Sequence, residues 1–448
     1  MSMSIQDSFK EQFKRNNSFD PALYDRYPVK RGLRNADGTG VLAGITQISN
    51  VHGYIIDEGD KRPAPGKLTF RGYDVEQLVD YARTHDRWGF EDVAFLLLAG
   101  ELPNQEQTRQ FQELIDRKRD LPNGFTYDVL MRYPSDNLMN MLMHAVAVLY
   151  TYDRDPEAVS EEHELDCAID LLARLPRIAV LAHYARIASF KNESMIIHPP
   201  VPGYSTAETF LSNLRPNREF THEEACMLDT MLMLHAEHGG GNNSTFTTRV
   251  LTSAGTDPYS TYAAAIGSLK GSKHGGANLK VLGLQSDLKA NVADWCDEGA
   301  IADYLDKVLR KEAYDRSGLV YGMGHAVYTL SDPRAVICKK YARQLAAGTE
   351  AEAELDLLER VERIAPQVIA RYKGDAKQIC ANIDMYSGFV YHMLGIPDDL
   401  LTPLFAISRI TGWAAHRFEE LVSGKRIIRP AYKSIAQERD ILVSQAND

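Results

Sequence analysis

Apolar residues recur at helical spacing in segment after segment of this chain, which restricts the fold more than any other feature. After Phe90, the positions Val93, Ala94 and Leu97 share one helix face before Gly100 and the Leu102-Pro103 stop. Ser135, following Pro134, is read as an N-cap for a helix whose apolar stripe is Leu138, Met141, Leu142, Ala145 and Leu149. The same spacing predicts helices over residues 160–175, 223–234, 258–269, 291–312, 332–347, 351–372 and 404–422. Residues 192–216, with Pro199, Pro200, Pro202 and Pro216, are read as a connector. Strand signals concentrate in residues 41–70, where Ile45, Ile48, Val51, Ile55 and Ile56 sit among Gly, Asn and Asp and predict short strands or hairpins. The fold class expected is therefore mostly α, with a minor N-terminal β element.

A length of 448 residues exceeds the roughly 250–300 at which single cores stop growing, so two domains are expected. The net charge of -11 argues against a nucleic-acid partner, because no segment concentrates the basic surface that a polyanion requires. Cys167, Cys226, Cys296, Cys338 and Cys380 are odd in number and scattered, without a Cys-x-x-Cys pair. Neither a disulfide framework nor a zinc site is expected from them, and a reducing cytoplasm suits them. Residues 1–20 mix acidic and basic side chains without an apolar segment, which fits neither a secretory signal nor a transit peptide. The most apolar window, residues 138–150, contains Asn140 and His144 and is too short to span a bilayer. A soluble cytoplasmic protein is expected.

Histidines in glycine-rich surroundings carry the chemistry. In Tyr321-Gly-Met-Gly-His325, two glycines let the backbone turn tightly and present the imidazole at a cleft. Nine residues on, Arg334 after Pro333 offers a planar fork that matches a carboxylate. His235-Ala-Glu-His238 ends a helix and opens a run of glycine and asparagine. An i, i+3 histidine pair can bind zinc, but no third ligand is evident and the His-Glu-x-x-His arrangement is absent. A helix terminus and a ligand-binding His238 stay open. His274, in Gly271-Ser-Lys-His-Gly-Gly-Ala-Asn278, precedes a helix N-terminus whose dipole disfavours imidazolium. It can serve as a neutral donor to a developing oxyanion, or merely sit beside a helix cap. Asp384, between Ile383 and Met385, can be a base with a raised pKa, or cap a helix over residues 385–394.

These three motifs together resemble those of citrate synthases: His-Gly-Gly-Ala-Asn at 274–278, Gly-x-Gly-His-x-Val with Asp-Pro-Arg at 322–334, and Asn-Ile-Asp-x-Tyr-Ser-Gly at 382–388. Supporting similarity runs through residues 69–74, 90–103, 204–208 and 408–413, leaving out only about the first 30 residues and the last 10. The resemblance implies a two-domain helical fold, with a large domain from residues 1–278 and 392–448 and a small one from 279–391. It implies condensation of acetyl-CoA with oxaloacetate and hydrolysis of the citryl thioester. Coenzyme A thioester would be a cosubstrate, with no tightly bound cofactor and no metal. Asp384 would take a methyl proton, His274 would stabilise the enol or enolate, and His325 would polarise the ketone. His238, Arg334, Arg409 and Arg429 would bind the dicarboxylate, with Arg429 reaching across a homodimer.

The sequence also departs from the family pattern. Thr329 replaces a basic residue that many relatives use for coenzyme A phosphate, Ala381 a frequent proline, and the triple glycine after His238 a shorter polar sequence. A 2-methylcitrate synthase would use propionyl-CoA with the same residues. A non-catalytic helical dimer and a multidomain citryl-CoA lyase are the alternatives of other classes; the first fits poorly with His274, His325 and Asp384 occurring together. The second lacks a Gly-x-x-x-x-Gly-Lys loop.

Overall fold

The structure is a computed structural model and describes residues 4–17, 19–35, 38–57, 60–374 and 378–438. Two compact units result, one from residues 45–428 and one from 1–44 with 429–448. Helix makes up 60% and strand 5%, so helix packing has to supply the core.

The center of the larger unit is the helix Leu401–Ser423, buried on every face from Leu401 to Arg417. A helix apolar all round can only be an interior one, and this one packs against Gly89–Ala99, Glu161–Lys191, His222–His235, Asn243–Ser253 and Pro258–Leu269. It nevertheless carries Arg409 and His416, both fully buried. Buried polar groups are kept inside where something pairs with them, as His416 does with Glu237.

Three other helices bring the sequence motifs together. Ala277–Asn291 follows His274, Pro333–Ala346 begins beside Arg334, and Asp384–Met393 begins with Asp384 itself. The last packs against both of the others, so three motif-bearing N-termini belong to one packed group.

The sheet is antiparallel in the order β1-β2-β3, with β1 Ser49–Asp57, β2 Asp60–Phe70 and β3 Tyr73–Asp74. Ser49 pairs with Phe70 and Thr69 with Asp74, and the β1–β2 register shifts between His52 and Tyr54. Gly53 lies at that irregularity, and a Cβ there would come within 2.6 Å of the Val327 carbonyl oxygen. A Cβ at Gly66 would collide with the Ser331 carbonyl oxygen, and the Ser331 hydroxyl accepts from the Gly66 N–H at 3.1 Å. The minor β element is thus a shelf beneath the loop that follows His325.

Several helices differ from expectation. The helix expected over 160–175 runs from Glu161 to Lys191 through Pro176. A proline interior to a helix costs about 3 kcal/mol, which burial of Ile178, Leu181 and Ile187 at roughly 1.5–3 kcal/mol each offsets. The helix expected from residue 291 starts at Glu298, capped by Asp297, because Asn291 ends the preceding helix. Asn137 rather than Ser135 caps Leu138–Leu149. Within the expected connector 192–216 a capping box of Ser205 and Glu208 starts the helix Thr206–Leu214.

Candidate active site

The loops carrying His325 and Asp384 are bound to each other. The Gly324 N–H donates to the Cys380 carbonyl at 2.8 Å and the Asn382 N–H to the Gly322 carbonyl at 2.9 Å, around a Met323–Ala381 bridge. Gly322 and Gly324 adopt φ of 84° and 91°, a left-handed region that strains any residue with a Cβ. Asn382 completes the joint: its Nδ2 donates to the Gly324 carbonyl at 2.9 Å and its Oδ1 accepts from the Asp384 N–H at 3.0 Å. The two loops are thereby held together by backbone hydrogen bonds and by the Asn382 side chain.

His325 Nδ1 accepts from the backbone N–H groups of Val327 and Tyr328, each at 3.1 Å. A nitrogen that accepts twice holds no proton, so the neutral ring carries its proton on Nε2 and presents a donor. Burial and the charge of Arg334 hold its pKa down to about 4. Tyr328 stacks on His325 with ring centers 4.6 Å apart, and its hydroxyl lies 3.3 Å from His238 Nε2. The His238 and His325 rings meet edge to face at 5.0 Å. His238 is kept well below the ordinary histidine range, first by burial and then by Arg334 and His325.

Arg334 and Arg409 provide the positive charge. Arg334 is buried and makes a fork with Asp332, Nε to Oδ1 at 3.1 Å and one terminal nitrogen to Oδ2 at 2.7 Å. Arg409 spends only Nε, which donates to the His235 carbonyl at 2.6 Å. Its two terminal nitrogens, fully buried, have no hydrogen-bond partner among the described residues. Leaving such donors unpaired costs several kcal/mol, whereas a carboxylate facing both would satisfy them bidentately. Burial draws the Arg409 pKa down to about 10, opposed by Glu237 and assisted by Arg334.

Asp384 is half-buried, and its pKa is pushed up to about 6 by burial, against the pull of Arg334. It belongs to the first turn of its helix without capping it, since its own N–H is held by Asn382. His274 is held down to about 4 by burial first and Arg409 second. Its Nε2 lies 2.9 Å from Ser244 Oγ, which also accepts from Trp413 Nε1 at 3.1 Å. Arg334 and Arg409 thus act electrostatically on one another and between them on His238, His274, His325 and Asp384. Six of the seven residues picked out from sequence belong to this cluster. Arg429 is exposed and belongs to the other unit, with residues 1–44.

Sequence reasoning missed Tyr328, Ser244, Asp332 and Phe405. Phe405 underlies the Arg409 guanidinium at 4.7 Å and meets His274 at 6.2 Å. Tyr328 and Asp332 lie inside the quoted motif and were legible there. Ser244 is 30 residues from the histidine it touches, and only packing joins them. Behind His238, Glu237 is fully buried, taking hydrogen bonds from His416 at 2.8 Å, Ser49 at 2.9 Å and the Gly239 N–H at 2.6 Å. Against burial, His416 first and then Arg409 and Ser49 draw its pKa down to about 2.

Neutral imidazoles, a weakly acidic carboxyl and buried guanidinium groups define a site for proton transfer beside a bound carboxylate. The model for the citrate synthase C-terminal domain matches residues 35–431. A citrate synthase of Haloferax volcanii is 35% identical over 90% of this chain and 94% of that protein. 2-Methylcitrate synthase 1 of Corynebacterium glutamicum is 32% identical over 93% and 98%. Among solved structures, the citrate synthase of Thermoplasma acidophilum in a ternary complex with carboxymethyl coenzyme A and oxaloacetate superposes with a TM-score of 0.75 at 26% identity, covering 93% of this chain and 99% of that one. The chain belongs to the citrate synthase family.

Proposed function

We propose that this protein condenses acetyl-CoA with oxaloacetate and hydrolyses the resulting citryl thioester to citrate and coenzyme A. The observation that carries this reading is Arg409, whose two unpaired terminal nitrogens call for a carboxylate in a cluster that also holds Arg334 and His238. In this reading Arg409, Arg334 and His238 bind oxaloacetate, and His325 gives the hydrogen bond of its Nε2–H to the ketone oxygen. Asp384 takes a proton from the acyl methyl group. His274 gives a hydrogen bond to the thioester oxygen, and the enolate carbon adds to the ketone. Water then cleaves the thioester and releases coenzyme A. The chain acts as a homodimer, with Arg429 entering the partner's site, and residues 279–391 close as a lobe over the substrates to exclude water. The five unpaired cysteines suit a cytoplasmic enzyme. Among the described residues no helix is long and apolar enough to cross a membrane.

A second reading, 2-methylcitrate synthesis from propionyl-CoA, is favoured by relatives of that name at similar identity. One methylene changes transition-state binding by about 1–3 kcal/mol, so both thioesters can react on the same residues. Steady-state kcat/KM for acetyl-CoA and propionyl-CoA, each with oxaloacetate, decides between them. A value for propionyl-CoA tenfold above that for acetyl-CoA would replace the first reading by the second. Turnover of neither would overturn both.

A further inference from the structure

Asp153, His163 and Cys167 meet at one point, built from none of the residues of the catalytic cluster. His163 and Cys167 sit one turn apart near the start of the helix Glu161–Lys191, and Asp153 reaches them from the loop before it. His163 Nε2 lies 2.9 Å from Asp153 Oδ2, Cys167 Sγ 3.5 Å from that nitrogen, and Sγ 3.7 Å from that oxygen. A tetrahedral ion bonded at roughly 2.0 Å to nitrogen and oxygen and 2.3 Å to sulfur sets edges of about 3.3–3.5 Å between its ligands. The triangle is already close to that size.

Its surroundings hold it in shape. The Asp155 N–H occupies Asp153 Oδ1 at 3.0 Å, turning Oδ2 toward the histidine and cysteine. Tyr259, on the helix Pro258–Leu269, donates its hydroxyl to the same Oδ2 at 2.8 Å and lies 3.5 Å from Sγ. His163 Nδ1 is buried without a partner among the described residues, so Nε2 is the ring's polar anchor. Cys167 is buried, while the His163 and Asp153 side chains are 15% and 16% exposed. Imidazole, thiolate and carboxylate together suit a borderline-soft divalent ion, whose charge the two anionic ligands would cancel. Asp86, His222 and Cys226 repeat the same residue types, but Asp86 and His222 are 76% and 59% exposed.

We propose that Asp153, His163 and Cys167 form a site for one divalent transition ion of the zinc class, with water as fourth ligand and Tyr259 orienting the carboxylate. The spacing hid it, since neither Cys-x-x-Cys nor His-Glu-x-x-His occurs and the aspartate comes from a separate loop. The ion would join that loop to the helix start and raise the melting temperature.

The test titrates chelator-stripped full-length protein with Co2+ and follows the thiolate-to-cobalt charge-transfer band, then displaces the cobalt with Zn2+. One equivalent per chain, with a band lost in Cys167→Ser and kept in Cys226→Ser, is the expected result. Tyr259→Phe should keep the band and weaken binding roughly 10–100-fold, the usual effect of losing a group that orients a ligand. Asp153→Asn repeats the test should Cys167→Ser fail to give the wild-type circular dichroism spectrum. No stoichiometric binding by the wild type, or a band that survives Cys167→Ser and disappears in Cys226→Ser, overturns the proposal.

Discussion

Burial raises the Asp384 carboxyl from its ordinary 3.8 to about 6, and that one shift has opposite consequences for folding and for catalysis. A folded-state pKa above the unfolded one gives stability that is fully present below 3.8 and lost as pH rises through about 6. At pH 7 the wild type therefore carries a cost on the order of 2–3 kcal/mol. Asp384→Asn should melt higher than wild type at pH 7, with the difference shrinking below pH 4, and should lose turnover while still binding oxaloacetate. Paired melting curves and calorimetric titration check both parts. As the proposed base, Asp384 works only when ionised, so kcat/KM should fall below an apparent pKa near 6, while His274 and His325, held down to about 4, stay neutral across that limb. A flat profile between pH 5 and 8 would remove Asp384 as the base. His274→Ala should lower kcat by about 10²–10³, the scale for one oxyanion donor, with little change in the KM for oxaloacetate.

Gly412 shows how an element, rather than a residue, holds the backbone of the candidate site. Alanine in place of glycine inside a helix ordinarily gains about 1 kcal/mol. Here a Cβ at 412 would collide with the Glu237 carboxylate and come within 2.5 Å of the Ala236 carbonyl, because the helix Leu401–Ser423 lies directly against the segment that leads to His238. The sign should reverse. Gly412→Ala is expected to lose roughly 1–3 kcal/mol by overpacking and to raise the KM for oxaloacetate, as the 236–238 backbone moves away from Arg409. Unfolding midpoints and initial rates on the same preparation check it. A stabilised variant with unchanged KM would show that this contact relaxes freely.

At the scale of the whole molecule, the proposed dimer predicts that each site takes a residue from the second chain. If Arg429 serves the partner subunit, Arg429→Ala and Asp384→Asn proteins, each inactive, should regain activity when subunits exchange, because both lesions then fall in one site and leave the other intact. Mass-verified mixed dimers without recovered activity would place Arg429 in its own chain's site or in none.

The helical class, the hairpin region and five residues of the cluster, His238, His274, His325, Arg334 and Asp384, were legible in the sequence, because helical spacing, turn-forming glycine and motif order are local properties of the chain; Arg409 came only with the family resemblance. His325 could be placed among Gly322 and Gly324, and Asp384 among apolar neighbours, without knowing what else approached them. Helix limits were less legible: the apolar stripe carries the helix Glu161–Lys191 through Pro176, and the burial that outweighs that proline exists only after packing. Ser244 beside His274, Asp153 beside Cys167 and the reversed sign at Gly412 depend on contacts between distant segments. Protonation belongs with them, since the pKa values of Asp384, His274 and His325 follow first from desolvation, and desolvation is decided by what the tertiary structure packs around each group.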